Sequence, residues 1–394
     1  MLKANDFIFC IIAASFISLG YMCIDIYLPA LPLLKHYFAT STAGIQSTLT
    51  IYLIGTCFAY LIMGPLADHV GFRQLLLTLC IILIIGSIVC AMAHNLWMLY
   101  IGRFIQAMCA GGLGVVGRGS FMKYFPKEQA LRIFIAIVPS VAVMSPALAP
   151  TIGSLLVHHF AWQSVFAFIA LLAGLFFILS YKFYQLPAEE KKHTSLHPIY
   201  IIKTYYNIIS NPKFILNLAI PFILFLLYFY YAAEMPFIMH HAGFGPRGIG
   251  LSFIPLAIGF FSSAQIASRL TKRWSKQKIV LLGLSTMLFG LLLFLVLSLT
   301  INNIIISFVL PTFFYLGAMG FVNPVVMGEC IAMFPNNTGY ASSLTGTVGI
   351  LGGAIGSQTV NLITHGNVLY LAYSMLTLLA AVIVVFAIST RFQK

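Results

Sequence analysis

Residues 64–76, GPLADHVGFRQLL, are a short polar interruption between two long apolar stretches. The stretch before it covers about residues 43–64, and the stretch after it covers about residues 74–93. An α-helix needs ~20 apolar residues to cross a hydrocarbon core that is about 30 Å thick. The pattern therefore predicts two membrane-spanning helices joined by a tight, charged turn.

The rest of the chain repeats this alternation of long apolar runs and short polar turns. Of its 394 residues, 61% are hydrophobic and 7% are charged, and the mean hydropathy is +1.00, whereas soluble domains carry about 25% charged residues. The first run is too long for the core of a signal peptide and lacks a convincing cleavage site, so we count it as a span. We predict an all-α polytopic membrane protein with 12 transmembrane helices, spans 1–12, at about residues 7–29, 43–64, 74–93, 97–121, 133–156, 162–184, 214–238, 250–270, 279–299, 303–326, 338–363 and 368–389.

The spans fall into two equal groups. The longest polar stretch, residues 185–213, divides six spans from six. In the second half, ASRLTKRWSKQKI at residues 267–279 follows the second span, as residues 64–76 do in the first half. A six-plus-six duplication is typical of secondary transporters, whose substrate site lies between the halves near the membrane midplane. We therefore predict an N-terminal six-helix bundle over residues 1–184, a cytoplasmic linker loop over 185–213 and a pseudo-symmetric C-terminal bundle over 214–394.

The net charge of +13 is explained by where the basic residues lie. With a cytoplasmic N-terminus, 17 of the 21 Lys and Arg residues fall in inner loops or at the termini, and only Lys35 and Arg247 fall in outer loops. This positive-inside bias predicts that the N- and C-termini are both cytoplasmic. The charge therefore does not indicate a nucleic-acid partner.

Five charged residues lie inside apolar spans: Asp25 on span 1, Arg103 and Arg118 on span 4, Glu234 on span 7, and Glu329 on span 10. Each costs at least about 2.5–3.5 kcal/mol to place in a membrane, so such residues usually face a cavity and have a partner. Spans 1, 4, 7 and 10 are the first members of four three-helix units. The pattern predicts that these four spans line one polar cavity.

Depth along the spans divides these charges into two groups. Asp25, Arg103 and Glu234 lie in the outer half, where Asp25 and Arg103 are expected to form a pair or share a hydrated pocket. Asp25 is then either a proton carrier or half of a static pair with Arg103. In the first case, burial disfavours the charged form of its carboxyl group and the nearby guanidinium favours it, so that it can gain and lose a proton. Arg118 and Glu329 lie in the inner half, where they either pair as a gate or extend to the cytoplasmic interface.

One face of span 4 is small or polar, because its arginines, Gln106 and several glycines follow helical spacing. This face is expected to allow close approach of another helix or of a ligand. Aromatic residues on spans 1, 7 and 8 either stack on a ligand or form lipid-facing bulk or a belt at the membrane interface. The predicted substrate-cavity residues are Tyr27, Gln106, Gly114, Arg118, Tyr231 and Glu329.

No residue cluster in the sequence indicates a catalytic or metal centre. The seven cysteines all lie in apolar segments without C-x-x-C spacing, as small apolar residues do. The patterns G-x-S-x-G, H-E-x-x-H and the phosphate loop do not occur. We expect no enzymatic activity, no metal and no cofactor, and ATP is not the expected energy source.

The stretch GPLADHVGFR resembles the loop motif G-x-L-A-D-x-x-G-x-R of the major facilitator superfamily, and the resemblance extends over nearly the whole chain. The glycines allow a tight turn, and the aspartate and arginine can lock neighbouring helix ends. The matching residues are Gly64, Asp68, Gly71 and Arg73.

Two further stretches resemble motifs of the same superfamily. IGRFIQAMCAGG at residues 101–112 is similar to the span 4 motif R-F-x-Q-G, with Ala107 in place of glycine. VMSPALAPTIG at residues 143–153 is similar to the antiporter motif of span 5. The residues that match this second motif are Pro146, Pro150 and Gly153.

DIYLPALP at residues 25–32 resembles the first-helix signature of the drug/proton antiporters in the Bcr/CflA-like branch, the branch of bicyclomycin and chloramphenicol resistance. The resemblance implies Asp25 as the proton-coupling acid and Arg103 as its functional partner. Two residues depart from the branch: Lys123 stands near the place of a common acid, and Glu234 stands where a small residue is usual. Glu234 is therefore a second candidate for proton coupling.

The resemblance implies a proton-coupled exporter of small amphiphilic compounds, working by alternating access in the bacterial inner membrane. Its expected partners are a small-molecule substrate, protons and the lipid bilayer, and a monomer is expected. Two alternatives stay open. One is a dedicated exporter of an endogenous metabolite such as a siderophore, and the other is a proton-coupled uptake symporter.

Overall fold

The computed structural model describes residues 4–125, 148–184, 198–271 and 273–392. Every regular element in these ranges is a helix. The helices that correspond to spans 1–12 are labelled α1 to α12, and α5 is described only over residues 148–159. The others are α1 Ala4–Asp25, α2 Thr42–Val70, α3 Phe72–Ala91, α4 Leu96–Tyr124, α6 Gln163–Phe183, α7 Pro212–His241, α8 Ile254–Leu270, α9 Lys276–Thr300, α10 Met319–Ala332, α11 Thr338–Thr364 and α12 Val368–Phe392.

Ten helical segments of the described chain are long and apolar enough to cross a membrane. The two spans outside that group are α5, of which only a part is described, and α11, which is long but rich in Gly, Ser and Thr. The predicted all-helical architecture of twelve spans is therefore confirmed.

Spans 8 and 10 are interrupted, which the hydropathy pattern does not predict. A short helix, Pro246–Leu251, precedes α8, and the first half of span 10 consists of two short helical segments before α10 begins. The interruption before α10 lies where Gly317 meets Gly259 of α8, so closely that a Cβ on either glycine would overlap the carbonyl oxygen of Phe313. Close backbone contact of this kind is made by small residues in membrane helices.

The segment predicted as a linker loop contains a helix, Pro198–Ile209. The hydroxyl of Tyr205 donates to the carbonyl oxygen of Leu61 in α2 (3.2 Å), and its ring packs edge-on against Tyr340 of α11. The side chains of Ile202 and Tyr206 are 65% and 70% exposed. One face of this helix thus contacts both bundles and another carries apolar side chains outwards, as interfacial helices do.

The two bundles meet along α2 and α11. Near the middle of this seam the thiol of Cys57 in α2 lies 3.5 Å from the carbonyl oxygen of Thr347 in α11. Further along it, Gly346 lies against the ring of Tyr60. At the predicted outer side, Gly250 packs on Ser154 of α5 so closely that an added Cβ would overlap the serine side chain.

The α8–α10 contact can be tested with two glycines of one helix. A Cβ on Gly320 would lie 2.6 Å from the carbonyl oxygen of Phe260, whereas nothing lies within 4 Å of the same position on Gly328. We expect Gly320→Leu to destabilise the protein by about 1–3 kcal/mol and Gly328→Leu to retain the wild-type melting temperature. Thermal unfolding of the detergent-purified proteins, followed by size-exclusion chromatography, measures both. Equal melting temperatures would contradict the close packing at Gly320.

Candidate functional site

Arg103 of α4 is fully buried in the N-terminal bundle. Its Nη1 donates to the carbonyl oxygen of Cys23 in α1 (3.1 Å) and to Oε1 of Gln106 (2.9 Å). The amide Nε2 of Gln106 in turn donates to the hydroxyl of Ser87 in α3 (2.8 Å). Arg103 therefore ties three helices together, and Gln106 supports it from inside the bundle.

Two tyrosine rings face the guanidinium of Arg103. Its central carbon lies 4.0 Å from the ring centroid of Tyr27 and 4.1 Å from that of Tyr52. The hydroxyl of Tyr27 is 3.1 Å from that of Thr48, which fixes this ring against α2. Among the described residues, Nε and Nη2 of Arg103 have no hydrogen-bond partner. Cation–π contacts, which strengthen when water is excluded, thus take the place of a carboxylate.

The described residues show no ion pair between Asp25 and Arg103, so the first of the two expected arrangements is not observed, and a shared hydrated pocket stays a prediction. Asp25 is 4% exposed, and its Oδ1 accepts a hydrogen bond from the hydroxyl of Tyr228 in α7 (3.2 Å). The acid of the N-terminal bundle is therefore bonded to the C-terminal bundle.

Glu234 of α7 also bonds across the two bundles. Its Oε2 accepts a hydrogen bond from Nε2 of Gln46 in α2 (2.9 Å), and its Oε1 accepts one from the hydroxyl of Thr364 in α11 (3.2 Å). Nε2 of Gln46 also donates to the carbonyl oxygen of Ala233 (3.1 Å). The side chain of Glu234 is fully buried, so the carboxylate is held by neutral donors from both bundles.

Further uncharged polar residues continue this contact along α2 and α11. The hydroxyl of Ser47 donates to Oε1 of Gln358 (3.0 Å), and the hydroxyl of Thr50 bonds both Ser357 (2.9 Å) and Gln358 (3.1 Å). Sequence reasoning missed this seam. Its only signal is the polar run at the start of α2, which helical spacing places on one face together with Gln46.

Arg118 and Glu329 do not pair with each other among the described residues, so the inner gate, one of the two expected arrangements, is not observed. Arg118 lies beside Tyr60, 5.3 Å from its ring centroid, and interacts with the hydroxyls of Tyr21 and Tyr60. Glu329 lies 3.8 Å from Nζ of Lys276, at the start of α9. Arg118 and Glu329 therefore each contact residues of their own bundle.

The other predicted cavity residues divide by burial. Tyr27 and Gln106 are enclosed around Arg103, as described above, and Tyr231 is equally buried in the C-terminal bundle. The hydroxyl of Tyr231 donates to the carbonyl oxygen of Ser252 (3.4 Å), and its ring packs against Phe308. Gly114, in contrast, has nothing within 4 Å of where a Cβ would stand. Among the residues predicted for the cavity, Gly114 and Arg118 line the same small recess.

The loop motif ties α2 and α3 to different neighbours. Asp68 lies 3.3 Å from Nζ of Lys123 on α4, and Nη2 of Arg73 donates to the carbonyl oxygen of Tyr181 on α6 (2.8 Å). Gly71 has φ of 99°, a conformation that favours glycine, whereas nothing lies near a Cβ on Gly64. The lysine that departs from the family pattern is thus the partner of the motif aspartate.

The span 5 motif is described in part, because Pro146 lies outside the described residues. Pro150 and Gly153 lie on α5, and Gly153 packs on α1 so closely that a Cβ would overlap the carbonyl oxygen of Ile26. The backbone of α5 therefore contacts α1 next to Asp25.

The aromatic cover of Arg103 can be tested by a double-mutant cycle. We expect Tyr52→Leu to lower the free energy of unfolding, with about 2 kcal/mol of the loss due to the cation–π contact, whereas Tyr52→Phe keeps the ring and stays near wild type. In an Arg103→Met background the cost of Tyr52→Leu should shrink, because only the packing loss remains. Thermal unfolding in detergent measures all four proteins, and an unchanged cost in that background would refute the contact.

The bond between Gln46 and Glu234 predicts energetic coupling between residues of different bundles. We expect Gln46→Ala and Glu234→Ala to couple by about 0.5–3 kcal/mol in unfolding experiments. Glu329→Ala provides the control, since Glu329 belongs to the same bundle as Glu234 but contacts Lys276 instead. Equal coupling of Gln46 to both glutamates would contradict a specific bond.

The family model described as Major Facilitator Superfamily matches residues 10–357. The chloramphenicol resistance protein CraA of Acinetobacter baumannii is 24% identical over 274 residues, 69% of this chain and 66% of that protein, just under two thirds of its length. The multidrug resistance protein MdtM of Salmonella typhimurium is 22% identical over 386 residues, 95% of this chain and 90% of that protein.

Two solved structures have the same fold. The crystal structure of a D-xylose-proton symporter superposes with a TM-score of 0.79 at 14% identity, covering 96% of this chain and 97% of that one. The inward-open xylose transporter XylE of E. coli gives 0.73 at 13% identity, covering 95% and 94%. At such identities the likeness shows the fold alone.

Proposed function

Because this chain belongs to the major facilitator superfamily and is therefore a multi-pass membrane transporter, we propose that it exports small amphiphilic compounds in exchange for protons. The exchange follows alternating access, in which the two bundles open the site first to one side of the membrane and then to the other. In this proposal Asp25 and Glu234 bind the protons, and each does so at a hydrogen bond between the two bundles.

The observation that carries the proposal is the position of Asp25. Its carboxyl group is almost fully buried and has a single hydrogen-bond partner among the described residues, the hydroxyl of Tyr228 from the opposite bundle. A charge at this depth is costly, and binding a proton removes that cost. Separation of the bundles would withdraw Tyr228 and admit water, so proton binding at Asp25 is linked to the conformational change.

Arg103 has a positioning role in this mechanism. Its guanidinium holds the carbonyl oxygen of Cys23, two residues before Asp25, and so fixes the end of α1 from which the acid projects. The tyrosines around Arg103 keep the guanidinium in place while the acid changes its protonation state. Arg103 thus acts on Asp25 through the backbone of α1 and not through a direct contact.

Glu234 is the second proton site of the proposal. It shares with Asp25 a buried carboxyl group on a bond across the bundle interface, but it is held by more donors. Both acids lie in the predicted outer half of the protein. We infer that they sense closure of the outer side, Asp25 near the centre and Glu234 closer to the surface.

Export is favoured over uptake by the span 5 motif and by the relatives whose names refer to drug resistance. The D-xylose-proton symporter shares the fold at an identity too low to transfer its substrate or direction. Export of one endogenous metabolite uses the same machinery and differs only in the substrate, so the transport assay includes an iron-free siderophore beside a drug.

The proposal is tested in proteoliposomes that carry substrate inside and are moved to a more acidic medium. We expect the wild type to release chloramphenicol, tetraphenylphosphonium or an iron-free siderophore faster than protein-free liposomes, while a fluorescent dye reports acidification of the lumen. Asp25→Asn should abolish the exchange, because its side chain binds no proton. Asp6→Asn is the matched control and should behave as wild type.

The outcomes separate the two acids. If Asp25→Asn still couples release to acidification and Glu234→Gln does not, the coupling role belongs to Glu234 and the assignment of Asp25 is overturned. If substrate release is unaffected by the pH gradient in the wild type, proton coupling itself is refuted. Substrate accumulation with protons in the same direction would identify a symporter.

A further inference from the structure

Arg118 borders a narrow recess on the side of the N-terminal bundle that faces the bundle interface. The recess lies between α1, α2 and α4, and it is lined by Ile17, Tyr21, Thr56, Tyr60, Gly114 and Arg118, together with small residues of α4. Tyr21 and Arg118 are half-buried, so the recess is reachable from outside the bundle. It combines one permanent cation, three hydroxyl groups and an apolar wall.

The charge of Arg118 has no acidic partner among the described residues, because each described acid is engaged elsewhere and none lies within 4.0 Å of the guanidinium. Asp25 bonds Tyr228 and Glu234 bonds Gln46, as described above. The remaining contacts are Asp6 with Tyr124, Asp68 with Lys123, and Glu329 with Lys276. A guanidinium at this depth is expected to have a counter-charge, and in this bundle only phenol groups surround it.

A small free space, about the size of one water molecule, lies one helical turn from Arg118, on the side where separation of the bundles would enlarge it. Gly114 has nothing within 4 Å of the position of a Cβ, whereas Cβ atoms on Gly111 and Gly117 would come within 3.0 Å and 2.9 Å of neighbouring atoms. The glycines of α4 therefore serve two purposes. Gly111 and Gly117 let helices pack closely, and Gly114 leaves the recess open beside the guanidinium.

We propose that this recess binds the anionic head group of the transported compound, so that the preferred substrates are amphiphilic anions rather than lipophilic cations. The inference rests on the proposed transport function and names the substrate class of that site. Arg118 donates to a carboxylate or sulfonate in the planar geometry that suits such groups. The hydroxyls of Tyr21 and Tyr60 complete its coordination, and the apolar wall contacts the body of the molecule. A cationic head group would meet the like charge of Arg118.

The test measures equilibrium binding of three ligands that share one ring system and differ in the head group. Naphthylacetate is an anion, naphthylacetamide is neutral and naphthylethylammonium is a cation. We expect the full-length wild type, purified in lipid nanodiscs, to bind the anion at least about tenfold more tightly than the cation, as one charge-assisted contact would give. Titration calorimetry with protein-free nanodiscs subtracted gives the three dissociation constants.

Three variants identify the residues responsible. Arg118→Gln should abolish the preference for the anion, and Arg118→Glu should reverse it in favour of the cation. Gly114→Leu should weaken the binding of all three ligands equally, because the leucine fills the recess without changing its charge. Arg247→Gln is the control, since Arg247 is exposed and lies outside the recess. Thermal unfolding verifies that each variant is folded, and Arg118→Lys provides a second test of the charge if Arg118→Glu does not fold.

Two results would overturn the proposal. One is equal affinity of the wild type for the anion and the cation, including no measurable binding of either at millimolar concentration. The other is a preference for the anion that persists in Arg118→Gln, which would leave Arg118 with a structural role. Binding is measured without a pH gradient, so failure of proton coupling in proteoliposomes leaves this test intact, and failure here leaves the coupling test intact.

Discussion

The guanidinium of Arg103 lies at a depth where lipid surrounds the bundle, and two tyrosine rings and a backbone carbonyl replace the water that it has lost. The contact determines the geometry of the site because its partners come from α1 and α2 while the arginine comes from α4. The carbonyl belongs to Cys23, so the same contact holds the end of α1, which carries Asp25. A charge that needs partners from several helices can be satisfied only when those helices are correctly assembled.

Each bundle therefore has a fixed part and an exchangeable part. In the N-terminal bundle the described contacts of Arg103 all come from that same bundle. Asp25 and the polar face of α2 instead bond residues of α7 and α11. In the proposed alternating access these bonds would be exchanged for water as the bundles separate, whereas the contacts of Arg103 lie within one bundle and would be kept. Rigid bundles that exchange polar contacts at their interface are the physical basis of alternating access.

The sequence was sufficient to predict the spans and the helices that carry charge, because hydropathy and charge are properties of single residues. Asp25, Arg103, Arg118, Glu234 and Glu329 were all identified this way. Their partners were not, because pairing depends on the rotation of each helix about its axis, and opposite charges at similar depth suggested ion pairs that the described residues do not form. Tyr52 gave no signal, since tyrosines are common in these spans, and Gln46 had only the weak signal of the polar run at the start of α2. Tyr27 was identified, but as a ligand contact rather than a cover for Arg103.

The amide of Gln46 forms two bonds across the interface, and only one of them depends on a titratable group. One N–H points to the carboxylate of Glu234, and the other to the backbone carbonyl of Ala233, which cannot take up a proton at any physiological pH. Neutralising Glu234 therefore weakens the junction between α2 and α7 without releasing it. In the proposed transport cycle the bond to Ala233 would hold the two bundles together at any acidity, and the bond to Glu234 would add a contribution that depends on the protonation of this carboxyl group.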